Sequence, residues 1–489
     1  MRATPLRRLP SPLSILLLAL AGVMFALALS RGIRDPDYFW HVTTGRLIWT
    51  SGAVPSTDPF SFTWLGQPWT PHEWLSELLI FKLVDAIGAI GALALFALLP
   101  GATFAVIGSA MARLGARVGA IAPPLALGAV ALIPYVTMRP QAISWMLLAG
   151  LLWLLLDASP ERSLRLLVLI PYFVLWANLH ALYVVGIGVL GLYLLFTLLG
   201  RTPMSSARGW VIGVTVGVIG ASMLTPAGPV GILYPLRYLD AGDWGLANIQ
   251  EWKSPNFHLV THWAFLALIA LVGLNGGQRT PGWLVALSWL GIVMGLVALR
   301  NIPVAVVFAL PTLILGLQAR LEQRDVRRPH AAPGQPVARR VLEMGVAVAV
   351  VIGSFIVLMP NDLDAANRES VAATFPVRGV DLLLQREPDA NVLAEYGWGG
   401  YVISRVHDVG GHVFVDGRND MYPEQILEDY SAIRAADPGW EDLAARYHIE
   451  AFLLEPDATL ARGPATDAGW CEVYRDATQV LLLAASACP

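Results

Sequence analysis

Two aspartates, Asp35 and Asp37, follow the first apolar segment of the chain immediately and are separated only by Pro36. A carboxylate close to an apolar surface has a raised proton affinity, which suits a general base. We therefore predict that Asp37 is catalytic. Asp35 would assist it by orienting a substrate hydroxyl, or by sharing a divalent cation such as Mg²⁺ or Mn²⁺ with it. The alternative is that both aspartates cap a helix that begins near Tyr38.

Eight further polar residues are candidates for binding a substrate or donor, because ionisable groups at a membrane boundary are costly and usually mark a pathway or a reaction site. They are His41, His72, Glu73, Arg139, Asn178, His180, Glu251 and Arg300. Arginine binds phosphate oxygens in bidentate fashion, so Arg139 and Arg300 are predicted to neutralise a lipid phosphate. The alternative for both arginines is that they extend to the lipid headgroups.

Two of these candidates, His72 and Glu73, stand together before an apolar segment, and Asn178 and His180 fall at a predicted tight turn. His72 is predicted to contact a phosphate, and Glu73 to bind a sugar or a metal. Each has a structural alternative. Glutamate is favoured in a first helical turn by the helix dipole, and an amide beside an interfacial histidine is typical of a turn.

The composition requires a membrane. Of the 489 residues, 56% are apolar and only 14% are charged, and the mean hydropathy is +0.58. A soluble protein needs more polar sequence to cover its surface, so we predict a polytopic α-helical membrane protein. The net charge of −3, without a basic tract, argues against nucleic acid as a partner.

Hydropathy predicts about eleven transmembrane helices, each of roughly 20 mostly apolar residues. The predicted spans are 13–30, 88–112, 119–137, 141–157, 164–177, 181–200, 209–225, 260–275, 282–299, 301–318 and 340–359. The positive-inside rule puts the N-terminus in the cytoplasm, because arginines occur in every loop on that side. All the candidate residues then fall on the outer side. We expect residues 1–28 to be an uncleaved anchor rather than a cleaved signal peptide.

The predicted organisation is a transmembrane module at 1–359 and an extracytoplasmic α/β domain at 360–489. The first outer loop, 31–87, is rich in aromatic residues and is expected to lie on the bilayer, with an interfacial helix at 73–86. A second outer loop covers 226–259, and a cytoplasmic linker covers 319–339.

In the C-terminal domain, short apolar strands alternate with helical patterns, which is typical of an α/β layer. The predicted strands are 391–395, 412–416 and 451–455, followed by a hairpin of 470–474 and 479–483. Asp416 and Arg418 are predicted to pair with each other. The sequence leaves open whether Cys471 and Cys488 form a disulfide, which an oxidising periplasm permits.

This layout resembles the GT-C superfamily of glycosyltransferases, which includes the protein O-mannosyltransferases, the lipid A aminoarabinose transferase and the oligosaccharyltransferases. That class usually carries an acidic pair in its first outer loop, where Asp35 and Asp37 stand. The stretch 66–75 is similar to the loop end that carries Lys-Pro-Pro in mannosyltransferase-like members, with His72 near the position of that lysine. Short motifs at 35–41, 178–180, 225–228, 251–255 and 416–418 are similar to those of a group of bacterial membrane proteins of this class.

The resemblance implies a glycosyltransferase of the bacterial inner membrane, with its C-terminal domain in the periplasm. It implies transfer of a sugar from a polyprenyl-phosphate donor, such as an undecaprenyl-phosphate sugar, to a glycan, lipid or protein acceptor, with inversion and with Asp37 as the general base. The alternatives are a ligase for lipid-linked oligosaccharides or polymers, a non-catalytic envelope scaffold, and a transporter. A transporter typically has charges at mid-membrane and broken helices in matching halves, and the sequence shows neither.

Overall fold

The computed structural model describes residues 11–234, 243–277, 279–327 and 337–488. Part of the predicted second outer loop (235–242) and part of the predicted cytoplasmic linker (328–336) therefore lie outside the described residues. Most of the described chain up to residue 358 is helical, and the only named strands among the described residues come after residue 390.

Fifteen helices make up the chain before residue 360 in the described ranges. They are α1 (Pro12–Arg31), α2 (Asp37–Ser51), α3 (Trp74–Ala97), α4 (Leu99–Arg113), α5 (Val118–Leu132), α6 (Gln141–Leu156), α7 (Leu169–Leu179), α8 (Tyr183–Leu198), α9 (Arg208–Ala221), α10 (Val230–Leu233), α11 (Asp243–Asn248), α12 (Trp263–Asn275), α13 (Gly282–Val297), α14 (Ile302–Arg327) and α15 (Val337–Leu358).

Six helical stretches among the described residues are long and apolar enough to cross a membrane, and four further apolar helices are shorter. A bent pair, 344–358 with 363–374, meets at an angle of 59°. Each of the eleven predicted spans overlaps one or more of these helices. The chain is thus a multi-pass membrane protein, and the number of complete crossings stays a prediction.

The core of the bundle lies around α14, whose first half from Ile302 to Ile314 is almost entirely buried. Helix α13 approaches α14 closely at Gly291, where an added Cβ would lie 2.9 Å from the Phe308 side chain. Small residues at such contacts let two membrane helices pack at short distance.

The C-terminal domain contains a five-stranded sheet in the order β2-β1-β3-β5-β4, in which β1 is parallel to β2 and β3 and the last two strands are antiparallel. The strands are β1 (Asn391–Ala394), β2 (His412–Val413), β3 (Ala451–Leu454), β4 (Cys471–Arg475) and β5 (Val480–Leu483), and the helices are α16 (Leu363–Thr374), α17 (Val377–Arg386), α18 (Gly399–Val406), α19 (Glu424–Ala435), α20 (Trp440–Arg446) and α21 (Pro464–Asp467). The predicted strands and hairpin are confirmed. Cys471 and Cys488 form a disulfide with a Cα–Cα distance of 5.7 Å, which lies in the normal range.

The first outer loop packs against this domain, and its contact with the bilayer stays a prediction. The backbone N–H of Val413 donates to Phe60 O (3.1 Å), and that of Phe62 donates to Val413 O (3.0 Å), which extends the sheet beyond its edge strand β2. Phe60 and Trp69 are buried in the core of the C-terminal domain. Some of the loop's aromatic residues are therefore buried against the sheet domain, whereas Trp49 is 57% exposed.

Helix α2 crosses the first part of α3 at very short range. A Cβ added at Gly45 would collide with the carbonyl of Glu77, so only glycine fits there. The predicted interfacial helix at 73–86 is this first part of α3. The helical conformation is interrupted at Gly88, where φ is +74°, and a second helical part of α3 continues to Ala97.

Replacing Gly45 by alanine should therefore destabilise the protein by about 1–3 kcal/mol through overpacking, even though alanine favours a helix by about 1 kcal/mol. Thermal unfolding in detergent measures the change. Gly188→Ala on α8 is the matched control, because an added Cβ there meets nothing within 4 Å. The melting temperature should fall for Gly45→Ala and stay level or rise for Gly188→Ala; equal shifts would contradict the close crossing.

Candidate active site

The centre of the site is the guanidinium of Arg139, which lies in the turn between α5 and α6. Its Nε donates to Asp35 Oδ2 at 2.5 Å, and its Nη1 donates to Glu251 Oε2 at 2.8 Å. Its Nη2 lies 3.1 Å from Asp37 Oδ2. The side chain is only 16% exposed. One arginine thus holds three carboxylates from two outer loops together, which leaves fewer N–H groups for the phosphate that sequence reasoning assigned to Arg139.

Asp35 has the capping role that the sequence left as an alternative, whereas Asp37 stands at the start of the helix and lines the cavity. Asp35 Oδ1 accepts a hydrogen bond from the backbone N–H of Asp37 (3.0 Å) at the start of α2, which is a capping contact. Asp37 is the first residue of α2, and its Oδ1 accepts from Trp40 Nε1 at 3.1 Å. Burial raises the pKa of Asp37 to about 6; Arg139 opposes this shift, and the neighbouring carboxylates add to it. Asp37 can therefore exchange a proton near neutral pH.

The predicted metal pair does not fit the arrangement of these groups. A cation shared by Asp35 and Asp37 would stand where the guanidinium of Arg139 contacts both carboxylates. Within the described ranges, no set of three or more histidine, cysteine, aspartate or glutamate residues is arranged to hold a metal ion. Arg139 supplies the positive charge in this position.

A fourth carboxylate of the site, Glu73, is surrounded by three histidines. Its Oε1 lies 3.1 Å from His180 Nε2 and 3.6 Å from His72 Nε2. Its Oε2 lies 3.7 Å from His41 Nε2. Burial disfavours the carboxylate, yet His180 and His72 hold the pKa of Glu73 well below its ordinary value. Glu73 is therefore ionised and lies close to histidines from three segments of the chain.

His180 is neutral, and its tautomer follows from its neighbours. Its Nδ1 accepts from the backbone N–H of Leu182 (3.1 Å) and contacts Ser144 Oγ (3.0 Å). The Ser144 hydroxyl in turn accepts from Trp176 Nε1 at 2.8 Å. The proton of His180 must then be on Nε2, which donates to Glu73. Burial lowers the pKa of His180 to about 4, so His180 orients Glu73 rather than carrying charge.

Two further cations, His72 and Arg300, line the cavity beside these acids and Arg139. Burial opposes protonation of His72, but the hydrogen bond and the charge of Glu73 raise its pKa to about 9. Arg300 Nη1 lies 3.8 Å from Glu251 Oε1, and its guanidinium stands 5.4 Å from the centre of the Trp252 ring. Both side chains carry positive charge at neutral pH.

Asn178 has a structural role and does not line the cavity. Its Nδ2 donates to the carbonyls of Val174 (2.8 Å) and Leu224 (2.9 Å). Its Oδ1 accepts from Trp74 Nε1 at 2.8 Å. These bonds connect the end of α7 to α3 and to the chain after α9. Asn178 therefore has the structural role of a turn amide that the sequence left as an alternative.

The C-terminal domain forms one wall of the site, and sequence reasoning missed this wall. The predicted pairing of Asp416 with Arg418 is confirmed, with Nε to Oδ1 at 2.8 Å and Nη2 to Oδ2 at 2.6 Å. Arg418 also contacts Asp58 of the first outer loop, at 2.8 Å from Nη1 to Oδ1. The residues between and after this pair, Gly417, Asn419 and Asp420, line the cavity. The segment was noted in the sequence, but nothing local showed that it faces Asp37.

The cavity between the transmembrane helices and the C-terminal domain has a volume of about 70 Å³. It is lined by Asp37, Trp40, His41, Trp69, Pro71, His72, Glu73, Glu77, Arg139, Pro140, Gln141, His180, Glu251, Arg300, Gly417, Arg418, Asn419 and Asp420. Eight of the ten predicted site residues are in this list, and Asp35 reaches the site through Arg139. A smaller set of mainly apolar residues forms an adjacent pocket that shares Trp69, Pro71 and His72 with it.

Several solved structures share this fold over most of the length of this chain. ArnT from Cupriavidus metallidurans matches 97% of this chain and 98% of its own, with a TM-score of 0.56 and 15% identity. The oligosaccharyltransferase AglB from Archaeoglobus fulgidus, solved with an inhibitory peptide and a dolichol-phosphate, matches 91% of this chain and 69% of its own, with a TM-score of 0.50 and 11% identity. The arabinofuranosyltransferase AftD from Mycobacteria matches 96% of this chain, which spans 40% of AftD, with a TM-score of 0.51 and 18% identity.

The predicted resemblance to the GT-C glycosyltransferases is confirmed for the fold, because all three of these proteins belong to that class. Identities this low define a shared architecture and leave the chemistry to be argued from the site. No family model matches the sequence, and no curated protein matches it either.

Replacing Arg139 by methionine should destabilise the fold by about 3–5 kcal/mol, because three neighbouring carboxylates lose their common cation. Their mutual repulsion raises their pKa values above those of the unfolded chain, so the variant should lose stability as pH rises and recover part of it on acidification. Melting temperatures in detergent at pH 5 and pH 8 measure this.

The control for this experiment is Arg300→Met, since Arg300 contacts Glu251 only at 3.8 Å. Its stability should depend on pH almost as that of the wild type does. An Arg139→Met variant with the wild-type pH dependence would show that Arg139 does not neutralise the three acids.

Proposed function

We propose that this protein is a membrane glycosyltransferase that transfers a sugar from a polyprenyl-phosphate-linked donor to an acceptor hydroxyl at the outer face of the membrane. The observation that carries the proposal is one polar cavity at the end of the apolar bundle that contains a titratable carboxylate, Asp37, together with the cations His72 and Arg300. The shared GT-C fold supports it, as does the dolichol-phosphate bound by AglB.

In the proposed reaction, Asp37 accepts the proton of the acceptor hydroxyl. The resulting oxygen nucleophile attacks the anomeric carbon in line, the bond from that carbon to the phosphate oxygen breaks, and configuration inverts. The departing lipid phosphate keeps the bonding electron pair, and His72 and Arg300 stabilise its charge. Phosphate is a good leaving group, so positioning and charge stabilisation supply most of the catalysis.

The remaining site residues hold these groups in place. Arg139 keeps Asp35, Asp37 and Glu251 together. Its N–H groups bond these carboxylates, so the phosphate is assigned to His72 and Arg300. Glu73, oriented by His180, maintains the charge on His72. The proposed mechanism has no metal-dependent step, since Arg139 occupies the position between the two aspartates.

The proposed setting is a bacterial inner membrane with the cavity facing the periplasm. In this setting the donor chain lies among the apolar helices and the acceptor, which is a glycan, a lipid or a protein, approaches from outside. The arrangement agrees with the positive-inside assignment of the loops, and a polyprenyl donor such as undecaprenyl-phosphate sugar would reach the cavity from within the bilayer.

Asp37→Asn should reduce the rate of sugar transfer by about 10²–10⁴, the usual contribution of a general base, while the melting temperature changes little. The wild-type rate should rise with pH until Asp37 is ionised, near pH 6, and should fall again above about pH 9 as His72 loses its proton. Transfer from labelled undecaprenyl-phosphate sugars to membrane acceptors measures both.

The control is Asp85→Asn, which makes the same change of charge. Asp85 is an exposed aspartate that pairs with Lys82 on the surface of α3. Full cellular function of the Asp37→Asn variant would contradict the proposed enzyme and favour the non-catalytic scaffold.

Undecaprenyl phosphate should raise the melting temperature of the purified wild-type protein, because a ligand that binds only the folded state stabilises it by about 2.7 kcal/mol at 100 times its Kd. Arg300→Ala should abolish most of that shift by removing a phosphate contact. Arg279→Ala is the control, since Arg279 is an exposed arginine that pairs with Glu322. A folded wild-type protein without any shift would count against a polyprenyl donor.

A further inference from the structure

The wall of the cavity contributed by the C-terminal domain carries two polar side chains that the proposed mechanism does not use. We propose that Asn419 and Asp420 contact hydroxyl groups of the donor sugar and thereby determine which sugar is transferred. This proposal rests on the proposed function, and it assigns sugar selection to the C-terminal domain rather than to the transmembrane helices.

The side chains of the segment 416–420 divide between two environments. Asp416 and Arg418 are buried in the C-terminal domain, at 0% and 2% exposure, where they pair with each other. Gly417, Asn419 and Asp420 line the cavity, which Arg418 also borders, and the side chains of Asn419 and Asp420 are half-buried. The buried pair thus fixes the backbone from which the two polar side chains extend.

The buried arginine makes this wall rigid. Arg418 bonds Asp416 and Asp58, and its guanidinium stands 4.9 Å from the ring centre of Phe60 and 4.5 Å from that of Trp69. A buried ion pair favours a single geometry, because any other geometry separates the charges in a poorly solvated environment. Selection among similar sugars requires polar groups that are fixed in this way.

Asp420 is itself held by a neighbour from the second outer loop. The hydroxyl of Tyr234 donates to Asp420 Oδ2, which leaves Oδ1 to accept from a ligand. A carboxylate only accepts hydrogen bonds, whereas the amide of Asn419 both donates and accepts. Together they suit sugar hydroxyls, which do both, and a site built to bond a hydroxyl rejects an analogue that lacks or misplaces it.

The donor sugar is the substrate group that fits this place. Asp420 is close enough to His72 for its charge to contribute to holding the imidazole protonated, and His72 is one of the two proposed phosphate contacts. A Cβ added at Gly417 would collide with Asp37 Oδ1, so the same segment also touches the proposed base. A sugar joined to the phosphate would therefore lie between His72 and Asp37, against Asn419 and Asp420.

The test compares binding of undecaprenyl phosphate with binding of its glucose, mannose, galactose and arabinose derivatives to the full-length protein in detergent. Wild-type protein should bind one of the four sugar lipids at least about tenfold more tightly than the sugar-free lipid. Asp420→Asn and Asn419→Ala should remove that preference and leave the Kd for undecaprenyl phosphate unchanged.

Asp389→Asn is the matched control, since Asp389 is an exposed aspartate just before the start of β1, whereas the cavity segment 416–420 follows the end of the parallel strand β2. Its sugar preference should equal that of the wild type. An equal loss of affinity for both kinds of lipid in Asp420→Asn, an unchanged preference in both variants, or a wild type without any sugar preference would overturn the proposal. Absence of binding to undecaprenyl phosphate by the wild type would instead contradict the proposed function itself.

Discussion

The contact on which the site depends is the buried guanidinium of Arg139 with three carboxylates. Asp35 and Asp37 come from the first outer loop, and Glu251 comes from the second. Three acids this close repel one another unless a cation lies among them. The guanidinium has five N–H groups in one plane, so it bonds all three acids and still fixes their directions. It therefore joins the two outer loops at the position of the proposed base.

A second buried arginine, Arg418, has the corresponding role in the C-terminal domain. It joins Asp416 of that domain to Asp58 of the first outer loop. These two aspartates are 358 residues apart in the sequence. The first outer loop is therefore held from both sides, by Arg139 at its beginning and by Arg418 near its middle. The cavity lies between these two attachments, which explains why its wall includes residues of the C-terminal domain.

The sequence was sufficient for the elements and for most of the residues that line the cavity. Apolar length and strand pattern are local signals, and the helices of the bundle and all five strands lie where these signals indicated. Sorting polar residues by side placed Asp37, Glu73 and Arg300 at one site, because the membrane restricts each loop to one face.

The sequence could not show which residues each polar or aromatic side chain contacts. Arg139 was predicted to bind phosphate, but its partners lie more than 100 residues away in both directions. The aromatic composition of the first outer loop likewise did not show that Phe60 and Trp69 pack in the core of the C-terminal domain. Asn178 was selected for its position at a polar turn, and only its hydrogen bonds reveal that it joins helices.

The most direct test of the account is a cryo-EM structure of the full-length protein with saturating undecaprenyl phosphate. The account predicts phosphate density in the polar cavity, within hydrogen-bonding distance of His72 and Arg300, with the isoprenoid chain leaving toward the apolar helices. Phosphate density at any other position, or a resolved cavity without lipid at saturating concentration, would contradict it.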